Sequence, residues 1–446
     1  MLFGIILTIL FIRSYRSVIY PELLYEDGRQ MLAYYFNTSN PATIFRFYAG
    51  YISLLPNTIG YLSTRVPIIY TPYVMTIPAL LLATYCIYIL STPRYRWLVN
   101  SDKLRYCICI LLALLPLGYK LQVTNLTYSL WNILIITILL IASPLPRSLW
   151  SRLWEFVVVS LGIMSHPLSI IAFPFCVLRI YKTKDKLGRV MALIYICLIV
   201  IYSIVTSIYL SRVSPERMPM LDDVSFSTFF LSIKIFLSRV VLESLIGARA
   251  AATLAATEYG VLYGSLLASG IIIMTVLIST LRTDRNHNIL ACIFSFSLSW
   301  AMIFITCQTR NADSGWLITV HRSQRYIYTP KFICALCILS QVLPVICYSM
   351  SKQSFVRKTA VFTISLIYLT GINIHNQFNY RSSIGEGRRI RTFVQEVHQE
   401  MIKAKNGQDY KAEHVFNRGG HWDIIININE RLNRIESGNN HIDPNK

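Results

Sequence analysis

Apolar runs of about 20 residues recur along this chain, and they decide its fold class before any motif does. A run of that length satisfies its own backbone hydrogen bonds as a helix inside hydrocarbon, where no water replaces them. The chain has 446 residues, 54% hydrophobic and only 14% charged, with a mean hydropathy of +0.49. That is too little charge to cover a soluble protein of this length. A β-barrel would alternate apolar and polar residues over short segments, and these runs do not alternate. The expectation is an all-α, polytopic transmembrane helical protein of about ten to twelve spans.

A net charge of +20 and a pI near 9.6 could suggest nucleic acid as a partner. The Lys/Arg excess sits largely in short connectors between apolar runs, where it orients spans, so no nucleic-acid partner is expected. The ten cysteines lie inside or at the edge of apolar runs, which argues against a disulfide framework. Cys334 and Cys337 form a CxxC within such a run and read as packing residues.

Taken in order, residues 2–20 read as a retained first helix, without the charged leader or cleavage site of a signal peptide. Residues 21–65 form a first outward loop. Within it Phe45, Tyr48, Ile52, Leu55, Ile59 and Leu62 recur at helical spacing, predicting an interfacial amphipathic helix bent at Pro56. Spans are expected at 66–91, 104–120 and 126–143, joined by basic connectors carrying Arg94, Arg96, Lys103, Arg105, Arg147 and Arg152. Residues 155–180 are basic at both ends and broken at Ser165-His166-Pro167, which predicts a helical hairpin that turns back. Further spans are expected at 189–211, 258–281, 288–307, 329–350 and 356–374. The segment 212–256 reads as a second outward loop with an interfacial helix, Phe226 to Val241 on its apolar face and Lys234, Arg239 and Glu243 opposite. A third outward loop covers 308–328, and a polar tail, 376–446, falls on the same outward face.

One constellation looks like chemistry. Glu26 and Asp27 are adjacent carboxylates beside apolar surface, where desolvation and mutual repulsion raise a pKa. Either could deprotonate an acceptor hydroxyl or amine, or hold a divalent ion such as magnesium or manganese; the plainer alternative is an exposed acidic turn. No metal ligand is assigned beyond these two. Arg322 and Arg325, with His321 beside them, suit phosphate recognition at a lipid headgroup or serve as snorkelling anchors. His166 is an acid/base candidate or a structural turn residue, and Tyr48 and Tyr51 would line a site. Asn125-Leu126-Thr127 matches a glycosylation sequon in a loop too short to use it, and Gly419-Gly420-His421-Trp422-Asp423 has no partner ligand set.

Tyr25-Glu26-Asp27-Gly28, followed by Tyr48-Ala49-Gly50-Tyr51 and Leu54-Leu55-Pro56, resembles a group of bacterial membrane proteins of the GT-C glycosyltransferase type. Leu126-Thr127 with Trp131, Leu245-Ile246-Gly247, and Arg325-Tyr326 before Pro330 are similar to its later signposts. Asn57 departs from the pattern, standing where a basic residue is expected. The resemblance implies a GT-C-like transmembrane domain over 1–375 and a periplasmic tail, in the bacterial inner membrane. It implies an inverting transferase that takes sugar from a polyprenyl-phosphate donor to a glycan, lipid or protein acceptor at the outer face. Glu26 or Asp27 would be the base, and Arg322 and Arg325 the donor-phosphate contacts. Two alternatives stand beside it: an O-antigen or capsule polysaccharide polymerase, and a lipid-linked oligosaccharide transporter without chemistry.

Overall fold

The structure is a computed structural model describing residues 1–213 except 22, 24, 25, 39, 49, 116, 118 and 119, then 226–247, 250, 251, 254, 260–280, 285–309, 324–351, 368, 384–404, 411–414 and 424–427. The described residues are almost wholly helical. The helices of ten residues or more are α1 (Leu2–Ile19), α2 (Leu54–Ser63), α3 (Thr71–Tyr88), α4 (Asp102–Leu114), α5 (Ser129–Ala142), α6 (Leu149–Ile163), α7 (Phe173–Lys182), α8 (Lys186–Val213), α9 (Phe226–Ile235), α10 (Gly260–Thr280), α11 (Arg285–Thr309), α12 (Gln324–Ser351) and α13 (Ile384–Ala404). Among the described residues six segments are long and apolar enough to cross a membrane: 2–19, 68–91, 186–213, 262–280, 288–308 and 326–350. The spans expected at 104–120 and 126–143 appear as α4 and α5, of 13 and 14 residues, shorter than the roughly 20 a bilayer core requires. Apart from Tyr368, the span expected at 356–374 lies outside the described residues.

Every residue of α5 from Ser129 to Ile141 is buried, so this short helix forms the axis of the molecule. It packs against α3 on one side and α6 on another. At Gly162 of α6 the approach is close enough that an added Cβ would lie 1.9 Å from Thr137 Oγ1. Residues 149–182 fold back as α6, a 3-10 turn (Pro167–Ala172) and α7. Glu155 near the start of α6 pairs with Arg179 near the end of α7 and with Arg94 of the preceding connector, each at 2.5 Å. Both ends of the hairpin therefore meet at the basic end of the bundle, as the charge pattern implies.

The first loop departs from its expected form. Phe45–Leu62 is not one bent helix. Phe47–Tyr48 (β1) and Tyr51–Ile52 (β2) pair as a short antiparallel hairpin, and α2 begins only at Leu54. Pro56 then falls in the first helical turn, where its missing N–H costs nothing, so it starts the helix instead of bending it. Gly50 holds the hairpin turn at φ +95, and an added Cβ would meet Leu210 of α8 at 2.3 Å. Stacking of Phe47 on Tyr209 at 4.2 Å, and a 2.8 Å bond from the Tyr202 hydroxyl to the Ile52 carbonyl, seat the hairpin on α8.

The segment after 225 departs from expectation in its second half. α9 continues as a π-helix (Phe236–Leu242) and a short helix (Glu243–Ile246). Arg239 and Glu243 do not face solvent; they are 2% and 0% exposed, while Phe226 and Phe230 point outward at 77% and 52%. Glu243 accepts from Arg239 Nε at 2.6 Å and from Lys331 Nζ of α12 at 2.6 Å. Lys234 stays exposed and Phe236, Val240 and Val241 are buried, so among the charged residues only Arg239 and Glu243 turn inward, where they pair. Extra residues in the π-turn bring Arg239 and Glu243 onto the inward face.

The tail is not merely an appendage. α13 is amphipathic, and its Ile390, Phe393, Val394 and Val397 are buried in one cluster with Leu23, Met31, Leu32, Tyr35, Ile68 and Leu126. Ile426, in a second hairpin (Lys411–His414 with Ile424–Asn427), completes it. The tail thus caps the first loop, on the side of the molecule that loop occupies. The Gly419–Asp423 motif lies outside the described residues.

Removing one member of a buried charge group leaves the others uncompensated, at a cost of about 3–5 kcal/mol. Glu243→Ala, stranding Arg239 and Lys331, is therefore expected to lower the thermal midpoint in detergent steeply. Arg96→Ala, which removes a half-exposed side chain paired with Asp102 at 3.4 Å, is expected to shift it little. Equal shifts in the two variants would show that the internal triad is not a structural tie.

Candidate functional site

The acidic pair opens a π-helical turn, Asp27–Ala33, with Glu26 as its N-terminal flanking residue. Glu26 is 6% and Asp27 2% exposed, which removes the reading of an exposed acidic turn. The two carboxylates have different surroundings. Asp27 Oδ2 accepts from the Leu126 N–H at 2.7 Å; Oδ1 accepts from the Thr127 N–H at 2.8 Å and the Thr127 hydroxyl at 2.7 Å. Asp27 thereby ties the first loop to the turn that leads into α5, about a hundred positions downstream. The turn is locked on its far side by Asn125 Oδ1, which accepts from the Tyr128 N–H at 2.9 Å, and by Ser129 Oγ, which donates to the Leu126 carbonyl at 2.6 Å. The apparent sequon is this turn: Asn125 and Thr127 are buried and used internally.

Burial pushes the Asp27 carboxyl up from its ordinary 3.8 to about 7, against three hydrogen bonds that pull it down; the neighbouring Glu26 charge adds a smaller upward push. A carboxyl of that kind exchanges protons near neutral pH.

Sequence reasoning passed over Arg46. Its guanidinium lies 3.5 Å from the centre of the Tyr34 ring, 5.1 Å from that of Tyr35 and 6.0 Å from that of Tyr48, and it bonds the Gln30 carbonyl within the acidic π-turn. A guanidinium stacked on tyrosines inside an aromatic run was readable from Phe45-Arg46-Phe47-Tyr48. Asn57 is fully buried and donates to the carbonyls of Ile44 and Arg46 at 2.9 and 3.3 Å. It fixes the backbone that carries Arg46.

His166 is a turn residue in this structure. Its Nδ1 accepts from the Leu168 N–H at 3.1 Å, capping the 3-10 turn, and its ring lies edge-on to Trp131 at 4.2 Å. Trp131 also packs on Tyr326 at 5.8 Å. The tip of α2 docks beside it, Leu54 N–H to the Met164 carbonyl at 3.3 Å and Leu55 N–H to Ser165 Oγ at 2.9 Å. Tyr48 and Tyr51 face each other across the hairpin and are half-buried. His321 and Arg322 lie outside the described residues; Arg325 is in α12, with its side chain outside them. Among the described residues no group of three or more His, Cys, Asp or Glu side chains forms a metal-binding cluster.

The arrangement offers two buried carboxylates at the start of a turn whose Gln30 carbonyl accepts from a tyrosine-stacked arginine. It can move a proton and place positive charge beside an anion. Comparison with protein-family models, curated proteins and solved structures finds no match.

Unfolded, Asp27 releases its proton near 3.8; folded, it keeps it to about 7. Its contribution to stability is therefore complete below about pH 4 and falls as pH rises through 7. Asp27→Asn keeps one acceptor oxygen but turns an amide donor toward the Leu126 N–H, and is expected to cost about 1–3 kcal/mol at pH 5. The gap between wild type and variant should narrow as pH rises through 7. Thermal midpoints measured across that range check both statements, and a pH-independent gap would contradict them.

Proposed function

We propose that the chain is a polytopic membrane glycosyltransferase of the GT-C type, with ten to twelve passes. It moves a sugar from a polyprenyl-phosphate donor to an envelope glycan, lipid or protein acceptor at the outer face of a bacterial inner membrane. The observation that carries this reading is the convergence of the first-loop signposts. Asp27, Leu54-Leu55 and Leu126-Thr127-Trp131 are apart in the chain, yet Asp27 bonds the Leu126–Thr127 turn, and Leu55 and Trp131 both meet Ser165-His166, by a hydrogen bond and an edge-on ring contact.

The reading gives the two carboxylates separate roles. Asp27, with both oxygens engaged, is the positioning residue; Glu26 is the general base. Glu26 takes the proton from the acceptor hydroxyl as its oxygen bonds to the anomeric carbon. The bond from that carbon to the phosphate oxygen breaks with inversion, and the electron pair leaves on polyprenyl phosphate. Positive charge is needed there as the phosphate charge develops. Arg46 is the described candidate, and Arg322 and Arg325 remain candidates by sequence position. A lipid donor suits a site at a membrane boundary, since the isoprenoid stays in the bilayer while the sugar reaches the loop. A divalent ion, magnesium or manganese, would be held by Glu26 or Asp27 if the reaction uses one.

A transporter of lipid-linked oligosaccharide is the second reading. The Arg239–Glu243–Lys331 triad inside the helical bundle favours it, because intramembrane charges often mark substrate or proton paths.

The readings part in one experiment. Glu26→Gln, with insertion confirmed, is expected to reduce transfer by about 10²–10⁴-fold and remove one sugar substituent from the cell-surface glycan by mass spectrometry. A shortened polymer would indicate a polymerase. An unchanged glycan from both Glu26→Gln and Asp27→Asn would overturn the catalytic assignment.

A further inference from the structure

At the end of α5 away from Asp27, the connectors 92–97 and 144–147 frame a cavity of 720 Å³. The 14 residues of α5 put roughly 20 Å between it and the acidic loop, so it is a separate site. Its lining holds Arg94, Arg96 and Arg147 against one carboxylate, Glu155, which Arg94 and Arg179 already neutralise. Arg94 forms the floor, with one nitrogen on the Leu140 carbonyl at 2.8 Å. Arg96 makes only a long 3.4 Å pair with half-exposed Asp102, and Arg147 at the rim is exposed with no ion pair among the described residues. Two arginines are thus available to an incoming anion.

The walls are aromatic. Trp97 and Trp154 line the cavity, and Trp154 Nε1 donates to the Tyr85 hydroxyl at 3.2 Å. Just outside, Leu149 and Trp150 are 71% and 81% exposed, apolar surface that water disfavours and a headgroup–acyl boundary accepts. Positive charge inside, tryptophan at the mouth and exposed apolar residues beside it match an anion that carries hydrocarbon. We infer that this cavity binds the phosphate of an anionic phospholipid, with Arg96 and Arg147 closing on the phosphate oxygens and the acyl chains lying along the start of α6. The lipid would bridge the 92–97 connector to the hairpin and so brace its ends.

Full-length protein reconstituted in mixed phosphatidylglycerol and phosphatidylcholine, then extracted into detergent, can be weighed by native mass spectrometry. Wild type is expected to retain phosphatidylglycerol over phosphatidylcholine, and Arg96→Ala/Arg147→Ala to lose at least about tenfold in that retention. The double variant should keep its thermal midpoint in lipid-free detergent, because both side chains are on the rim. Lys substitutions at both positions should restore part of the retention, through charge without the bidentate fork. Equal retention of the two lipids by wild type would overturn the inference, as would undiminished retention by the alanine variant. Capture of inorganic phosphate without phosphatidylglycerol would also overturn it, in favour of a soluble anion.

Discussion

A buried carboxylate ties the start of the first loop to the entry of the molecule's central helix. Asp27 accepts three hydrogen bonds from Leu126 and Thr127, whose N–H groups stand just ahead of α5 and would otherwise be buried donors without a helical partner. Its negative charge, when present, also suits the positive end of a helix dipole. Because α5 is the buried axis, whatever fixes its entry fixes the frame around it: α3 on one side, the turn-back of α6 and α7 on the other. Further along the same helix, Asn132 donates to the Gln122 carbonyl at 2.8 Å and accepts from the Tyr328 hydroxyl at 2.9 Å, which brings α12 into register. The tail then closes over the loop through α13. Sequence-distant parts therefore depend on one short set of polar contacts.

Charge is used inside this protein at two levels. Glu155 draws Arg94 and Arg179 together at the basic end and closes the hairpin; Glu243 draws Arg239 and Lys331 together within the bundle. Each pairs one carboxylate with two cations, so each is stable only when complete. They differ in setting. The first opens onto an arginine-lined cavity, whereas the second is sealed among packed helices, with Lys331 fully buried.

The long apolar runs were legible because a helix in hydrocarbon needs only length and composition, and α1, α3, α8, α10, α11 and α12 lie where those runs do. The hairpin at 149–182 was legible too, since two basic ends and a Ser-His-Pro break leave little choice. Amphipathic segments were harder. Helical spacing from Phe45 to Leu62 concealed a hairpin whose turn depends on Gly50, a backbone preference that periodicity ignores. Between Phe226 and Glu243 the pattern was correctly helical, but Arg239 and Glu243 turn inward to meet Lys331 while Lys234 stays exposed, a distinction that spacing does not carry. Lys331, alone after Pro330 in an apolar run, was the available sign that Glu243 had an internal partner. Glu26 and Asp27 were legible as a pair beside apolar surface, but not what covers them, the tail strand 424–427 and the 125–129 turn.

The clamp between Asp27 and the Leu126–Thr127 turn is the claim on which the positioning of the first loop rests. It is tested most directly by a double-mutant cycle, Asp27→Asn with Thr127→Val, read as thermal unfolding of the detergent-solubilised protein at pH 5. Two residues that share hydrogen bonds should be non-additive, with a coupling of about 1 kcal/mol or more, and the double variant little worse than Asp27→Asn alone. Strictly additive shifts would contradict the clamp and, with it, the assignment of Asp27 as the residue that positions the loop.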